Sequence, residues 1–242
     1  MEITGIKSRI LKEHDDIYRF IDEWVNQLNN GAVVVITSKI ISLSEGRTAG
    51  LLEKEKILKQ ESKKVIETPW AYLTLTKDGW CINAGVDESN ASGKIILLPK
   101  DPFGVARNIR SYLLKKFSLK KLGVIITDTK SVPLRKGTIG RALGYAGFQP
   151  LKSYIGKKDL FGRKSRVTES NVTDALAAAA VLVMGEGDEQ IPIAVIKNAP
   201  VKFSTKKFRS LSLAPEKDIY SWVFKKYELE SQKLPRKNRR KK

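Results

Sequence analysis

Cysteine and histidine are almost absent from this 242-residue chain, which has one of each, Cys81 and His14. One cysteine excludes a disulfide within the chain, and the usual zinc sites cannot be assembled from these two side chains. Ser-His-Asp and Cys-His catalysis are excluded as well unless His14 serves, and His14 lies in a polar run typical of a helix lead-in. Any metal must therefore be held by oxygen, which favours Mg²⁺ or Mn²⁺.

Long apolar runs are also missing. No run reaches the roughly 18 to 20 residues that a membrane-spanning helix needs, and the amino terminus lacks an apolar signal-peptide core. We therefore expect a cytoplasmic protein without membrane insertion. The hydrophobic content of 41% is enough for one large domain or two small ones with a proper core.

Negative charge is scarce relative to positive charge, and the net charge is +19. Such a chain attracts polyanions, meaning nucleic acid, anionic membrane or phosphorylated small molecules. Seven of the positive charges lie in the last ten residues. We expect residues 229–242 to be a disordered basic tail with at most a weak RNA contact, and residues 1–228 to be the catalytic unit, made of two subdomains.

The apolar periodicity predicts an α+β fold, because strands and helices mix without a steady β-α-β alternation. A hairpin is predicted with its turn at Lys77-Asp78-Gly79, whereas residues 130–170 look like a long loop rich in glycine and basic residues. Thr173 is the predicted N-cap of an alanine-rich helix. Helices are predicted at 15–30, 53–68, 103–119, 174–184 and 215–227, and strands at 32–37, 72–76, 80–83, 94–98, 123–126 and 192–197.

Three acidic residues follow or flank apolar segments beside small residues: Asp87, Asp128 and Glu186. Taken singly, each is explained by a turn, a cap or a helix-end loop. Together they offer carboxylates next to hydroxyl and amide groups, which are the ligands that a hard cation prefers. Asp128 comes just after the predicted strand 123–126, where α/β proteins place ligands, and we interpret it as a metal ligand.

Basic groups suited to phosphate accompany these acids. Lys39 follows the strand 32–37, and Arg135, Lys136 and Arg141 are interleaved with glycines that could expose backbone N–H groups to an anion. The Walker pattern and the dinucleotide-binding glycine pattern are both absent. A nucleotide would therefore need a different cradle.

Six segments, in this order, resemble the coenzyme F420:L-glutamate ligases, also called gamma-glutamyl ligases. They are TSKIISLSEGR (37–47), NAGVDESN (83–90), LLPKDP (97–102), GVIITDT (123–129), DLFGR (159–163) and AAAAVLVMGE (177–186). The resemblance covers most of the chain from about residue 10 to residue 201. It implies a homodimer of two interleaved α+β subdomains that uses GTP and two divalent ions, Mg²⁺ or Mn²⁺, to join L-glutamate to a coenzyme F420 precursor, an acidic or phosphorylated small molecule.

The resemblance also implies roles for residues of this sequence. Asp87 and Asp128 match the ligands of one metal, and Thr129 and Glu186 match those of the second. From the chemistry of phosphoryl transfer, we hypothesise that Lys39 and Arg135 offset negative charge on phosphates or on the acidic substrate during catalysis. The matching nucleotide contacts are Ser38, Lys39, Asn90, Met184, Gly185, Glu186, Gly187, Asp188, Glu189, Gln190 and Ile191.

Two departures from the family pattern leave alternatives open. Leu43 stands where the family commonly has a lysine that contacts nucleotide, so the choice between GTP and ATP stays open. Residues 131–135, Ser-Val-Pro-Leu-Arg, replace a Gly-Arg-Pro-Trp-Arg-like run, so a folate-type or other acid is the alternative acceptor. The basic charge supports a further alternative, a noncatalytic nucleic-acid-binding protein that reuses the fold, although aromatic residues make up only 8% of the chain.

Overall fold

The structure is a computed structural model that describes residues 1–208 and 210–223. The chain divides into a unit of residues 1–210 and a unit of residues 211–242. The first unit contains helices α1 (Ile17–Trp24), α2 (Ser38–Ser44), α3 (Lys54–Glu61), α4 (Pro102–Lys116) and α5 (Val172–Met184). Its strands are β1 (Glu2–Ile6), β2 (Ala32–Thr37), β3 (Thr48–Gly50), β4 (Lys64–Glu67), β5 (Tyr72–Thr76), β6 (Gly79–Ile82), β7 (Lys94–Ile96), β8 (Leu122–Ser131), β9 (Thr138–Ala146), β10 (Leu151–Ser153), β11 (Glu169–Asn171) and β12 (Ile193–Lys197).

The main sheet has five strands in the order β1-β12-β2-β8-β9, and only the central pair β2 and β8 is parallel. Val34, Ile36, Val124 and Ile126 point into a core shared with α1, α2 and α4. Helix α5 packs against β9, β1 and β12 on the opposite face. The central strands are buried on both sides, which explains why β2 is an unbroken apolar run.

Smaller sheets flank this core. Strands β4, β5 and β6 form an antiparallel sheet, and β3 pairs with β7. A second apolar cluster joins Ile57 of α3 to Ile95 of β7 and to Leu97, which directly follows β7. Strands β10 and β11 form a separate two-stranded ribbon. The mixture of helices with parallel and antiparallel strands confirms the predicted α+β class.

Several predicted elements occur with different bounds. The helix predicted at 15–30 ends at Trp24, and the segment 53–68 is a helix only to Glu61. Residues 64–67 form a strand instead, because Val65 and Ile66 are β-branched and pair with β5. The N-cap of α5 is Asn171, whose side chain accepts a hydrogen bond from the Asp174 N–H, and not Thr173, which is buried.

The prediction of a long loop at 130–170 was wrong. This segment contains the end of β8 and all of β9, β10 and the start of β11. Within the second unit, the helix predicted at 215–227 begins as a short 3-10 turn at Pro215–Lys217, and Ile219 is exposed. Residues 224–242, which include the predicted basic tail, lie outside the described residues. In the part of the chain that is described, no helix is both long and apolar enough to cross a membrane.

Candidate functional site

A cavity of about 570 Å³ opens where the parallel pair β2 and β8 ends. Such strand ends are where sheets of this kind bind ligands. Five segments that are distant in sequence meet in its wall, at residues 8–11, 37–43, 85–98, 127–129 and 181–192. Every predicted site residue lines this cavity except Arg135.

Asp128 lies inside β8, and not after its end as the sequence pattern predicted. Strand β2 pairs with β8 only as far as Thr127, whereas β9 continues to pair with β8 up to Ser131. Asp128 is therefore the first residue of β8 that has lost its neighbour in β2. The cavity occupies the space beside β8 that β2 leaves, so that Asp128 and Thr129 line it.

Asp87 and Lys39 form an ion pair across the cavity wall, with 2.8 Å between Lys39 Nζ and Asp87 Oδ2. Lys39 is carried by the first turn of α2, directly after β2. Its ammonium also donates to the carbonyl and the hydroxyl oxygen of Ser89, at 3.0 and 2.9 Å. Asp87 is fixed further by the Ser89 N–H, which donates to its Oδ1 at 2.7 Å.

Glu186 belongs to the loop after α5, which the sequence predicted to contact nucleotide. Thr129 Oγ1 donates to Glu186 Oε2 at 3.5 Å, and the amide of Asn90 donates to the Gly187 carbonyl at 3.0 Å. These bonds connect the loop to β8 and to the Asp87 segment. Gly185 has a φ of +78°, and a Cβ there would lie 2.1 Å from Cδ of Glu189, so glycine is required for this path.

Burial and neighbouring charges shift the pKa values of the three acids in different directions. Burial raises the pKa of Asp128 to about 6, and the charges of Asp87 and Glu186 add to the rise while Arg141 opposes it. Burial also raises the pKa of Glu186. Burial alone would raise the pKa of Asp87, but hydrogen bonds from Lys39 and Ser89 hold it below its usual value. The cavity thus concentrates like charges that a divalent cation would stabilise.

The donor set fits a hard divalent cation in its chemistry, since it consists of three carboxylates and the Thr129 hydroxyl. The side chains do not already form a coordination sphere. Among the described residues, no three His, Cys, Asp or Glu side chains are gathered closely enough to hold a metal ion. Asp87 is instead paired with Lys39, so this ion pair would have to break before Asp87 could bind a cation.

The other basic residues singled out in the sequence lie elsewhere. Arg135 and Lys136 are exposed residues between β8 and β9 and do not line the cavity. Arg141 is a β9 residue, only 7% exposed, opposite Asp128 in the strand register, and its Nε has no hydrogen-bond partner. The glycine-rich segment around it therefore does not contribute to the cavity wall.

The glycines of β9 serve helix packing. A Cβ at Gly140 would lie 2.8 Å from the Ala177 carbonyl oxygen of α5, and one at Gly144 would lie 2.4 Å from the Pro102 carbonyl carbon of α4. Glycine therefore lets both helices approach the strand. Helix packing accounts for both glycines, and the expectation that they face an anion stays a prediction.

Sequence reasoning missed part of the cavity wall. Residues 8–11, between β1 and α1, line it, and no periodicity or motif marks them. Ser42 of α2 also lines it; its side chain is almost fully buried and its hydroxyl has no hydrogen-bond partner. Leu43, Ile10 and Leu11 add apolar side chains to the lining.

Comparisons with known proteins identify the family of this chain. The family model for F420-0:gamma-glutamyl ligase matches residues 52–198. The chain is 35% identical over 246 residues to the coenzyme F420:L-glutamate ligase of Methanocaldococcus jannaschii, covering 91% of this chain and 96% of that protein. It is 42% identical over 243 residues to the protein of that name from a strain of Methanococcus maripaludis, covering 91% and 97%. Against that of Archaeoglobus fulgidus it is 34% identical over 213 residues, covering 79% and 85%.

Proposed function

The chain belongs to the F420-0:gamma-glutamyl ligase family, and from that premise we propose that it joins L-glutamate to a coenzyme F420 precursor by an amide bond. We propose further that GTP supplies the free energy through an acyl-phosphate intermediate, with two divalent ions, Mg²⁺ or Mn²⁺, at the cavity. The observation that carries the proposal is the meeting of Asp87, Asp128 and Glu186 in one cavity, together with Lys39, which is paired with Asp87.

The reaction class explains why such a cavity is needed. A carboxylate is a poor acyl donor, so an oxygen of the acceptor's carboxylate first attacks the γ-phosphorus of GTP and the bond to GDP breaks. The glutamate amine then attacks the acyl carbon, loses a proton, and phosphate leaves. Both steps gather negative charge on phosphate oxygens, which must be balanced in a site that already contains three acids.

Different residues of this chain would balance the negative charge on the phosphate oxygens. Asp87 and Asp128 would hold one cation, and Thr129 and Glu186 the second. When bound, divalent cations neutralise charge on phosphate oxygens and orient them. With a cation held at Asp87 in its place, the Lys39 ammonium would be free to contact phosphate. Residues 184–191, fixed by the bond from Asn90 to Gly187, offer backbone groups to the nucleotide.

A turnover assay tests this function. Purified protein is incubated with GTP, Mn²⁺ and isotopically labelled glutamate, together with the F420 precursor that lacks glutamate. The expected product carries one added glutamyl group and appears with stoichiometric GDP and phosphate. No labelled product with any nucleotide or acceptor would reject the ligase function for this chain.

Two arms of the same assay decide the finer points. The first arm replaces GTP by ATP and measures which nucleotide is used. Leu43 lines the cavity, and its aliphatic side chain cannot select a base by donating a hydrogen bond to it. A folate-type acid in place of the F420 precursor tests the acceptor. The proposal expects the F420 precursor to be used at least tenfold faster than the folate-type acid.

A further inference from the structure

Arg141 of β9 is a buried cation next to the predicted metal ligand Asp128. In the register of β8 and β9 the two residues lie directly opposite each other, and opposite residues of an antiparallel pair direct their side chains to the same face of the sheet. Arg141 is only 7% exposed, and its Nε has no hydrogen-bond partner. A buried charge without its full set of hydrogen bonds costs stability, so neighbouring charges must offset that cost.

Two carboxylates interact with the charge of Arg141. Burial raises the pKa of Asp128, and the charge of Arg141 opposes that rise. Burial also raises the pKa of Asp78, in the turn between β5 and β6, and the charges of Lys77 and Arg141 oppose it there. The guanidinium is therefore close to an acid of the cavity and to an acid of the β5–β6 turn.

The strand pair holds Arg141 in this position. Thr127 Oγ1 donates to the Arg141 carbonyl at 2.8 Å, and β9 pairs with β8 on both sides of Arg141. Lys39, the cation beside Asp87, differs because 24% of its side chain is exposed and its ammonium can turn within the cavity. A closely packed side chain on a paired strand has little room to turn away, so the positive charge of Arg141 is fixed.

The next position along the strands has no such cation. Thr129 lies opposite Gly140, and a Cβ at Gly140 would collide with the backbone of α5. Thr129 therefore faces the side of α5, where Glu186 follows the helix, and Asp128 faces the other side of the sheet. A fixed cation thus lies opposite Asp128, whereas a glycine lies opposite Thr129.

We propose that Arg141 is a fixed positive charge that repels a divalent cation bound alone at Asp87 and Asp128 and attracts the phosphates of a nucleotide. The cation would then bind firmly at these two acids only together with the nucleotide. Arg141 does not line the cavity, so it acts through its electric field as a positioning residue. The attraction of phosphate rests on the proposed function, whereas the repulsion of a lone cation does not require a nucleotide.

A fixed charge acts with opposite sign on the two ligands. Mn²⁺ is positive, so a nearby guanidinium lowers its affinity. A triphosphate remains negative with one Mn²⁺ bound to it, so the same guanidinium raises the affinity of the nucleotide. Replacing a residue that only packs would weaken both ligands together, because it loosens the site that they share. Opposite changes in the two affinities are therefore the signature of the charge.

The first experiment measures Mn²⁺ binding without nucleotide, by electron paramagnetic resonance of the free ion. The pH is 8, above the Asp128 pKa of about 6, so that this carboxylate is ionised. Every protein compared also contains Glu186→Gln, which leaves Asp87 and Asp128 as the proposed carboxylate ligands. Arg141→Met should bind Mn²⁺ at least about tenfold more tightly than its parent. Arg141→Lys keeps the charge and should bind Mn²⁺ as weakly as the parent.

The second experiment measures the binding of a non-hydrolysable GTP analogue in saturating Mn²⁺, by calorimetry, with Glu186 intact. Arg141→Met should weaken this binding at least about threefold, and Arg141→Lys should not. Arg110→Met is the matched control in both experiments. Arg110 is a half-buried arginine of α4 whose Nε donates to the Leu122 carbonyl at 2.8 Å, at the end of β8 away from the cavity. Its replacement should change neither affinity.

Asp78→Asn tests the same charge without altering Arg141. Removing this acid leaves the charge of Arg141 less balanced, so Mn²⁺ alone should bind more weakly and the GTP analogue more tightly. Both changes are the reverse of those expected for Arg141→Met. Burial raises the pKa of Asp78, so its replacement by a neutral amide should not impair folding, and this variant decides the question if Arg141→Met does not fold.

Failure of this inference and failure of the proposed function give different results. If the two affinities change in the same direction, or do not change, the role of Arg141 is rejected while an active wild type keeps the ligase function. If the wild type neither binds the GTP analogue nor forms product, the function fails, and the Mn²⁺ measurement alone decides on Arg141. If no protein binds Mn²⁺, the cation site is rejected and the inference with it.

Discussion

Replacing Asp128 by asparagine should make the metal-free protein more stable and at the same time abolish turnover. Both effects have one origin, because the fold keeps this carboxylate in a place that disfavours its ionised form. Burial and the charges of Asp87 and Glu186 raise its pKa to about 6 from the ordinary value of 3.8. The amide of asparagine has nearly the same shape and no charge to desolvate.

The magnitude follows from the difference between these two pKa values. A rise in pKa of about 2 corresponds to about 3 kcal/mol, which is the gain expected at pH 7, because the rise already includes the opposing attraction of Arg141. The folded-state pKa is raised, so the fold favours the protonated form, and ionisation of Asp128 costs stability above pH 6. The cost falls as the pH drops through about 6 and is absent below 3.8. The variant should therefore gain stability at pH 7 and none at pH 3.5.

Urea unfolding in EDTA at pH 7 and at pH 3.5, followed by the turnover assay with GTP and Mn²⁺, measures both effects. Asp22→Asn is the matched control, because hydrogen bonds from Lys116 and Tyr112 lower the pKa of Asp22. Its neutralisation should slightly destabilise the protein at pH 7, and its turnover should be normal. An Asp128→Asn protein that is destabilised at pH 7, or that keeps wild-type turnover, would refute the reasoning.

Four further outcomes are expected. Gly144→Ala should lower the free energy of unfolding by more than about 1 kcal/mol, because the added Cβ would lie 2.4 Å from the Pro102 carbonyl carbon. Urea unfolding measures this loss. The control is Gly50→Ala, whose Cβ meets nothing within 3.5 Å. Burial raises the pKa of Asp78, so Asp78→Asn should raise the urea midpoint at pH 7, with the gain vanishing below pH 3.8. Lys39→Met should lower GTP turnover at least tenfold in steady-state kinetics. EDTA should abolish turnover and Mn²⁺ restore it, and activity that persists in EDTA contradicts the metal assignment.

The sequence predicted an element correctly where the residues of that element alone determine its structure. Strand β2 was predicted with its observed bounds because five consecutive apolar residues, mostly β-branched, are buried on both faces. The hairpin of β5 and β6 was predicted from its turn, where Gly79 adopts a φ of +102°. The acids of the cavity were found for a similar reason, since carboxylates beside small residues mark places where backbone and ligand can approach.

Strand β9 could not be predicted because its sequence is shaped by neighbours that are distant along the chain. Gly140 and Gly144 look like loop residues, yet each makes room for a helix. Arg141 looks like a surface cation, yet it is buried opposite Asp128. A buried arginine with an unpaired Nε has no local signature, and it appears only once the register of β8 and β9 is known.

The position of the acids follows from the unequal lengths of two parallel strands. Strand β2 ends at Thr37 and turns directly into α2, which places Lys39 beside the sheet. Strand β8 continues for four residues past the pair Thr37 and Thr127, because β9 still supplies hydrogen bonds on its other side. Beyond Thr127 only β9 pairs with β8, so the other edge of β8 is open. Asp128 and Thr129 can therefore face a ligand while the strand stays extended. If β8 had stopped with β2, Asp128 would sit in a turn, and its carboxylate would not be held where burial and the neighbouring acids raise its pKa.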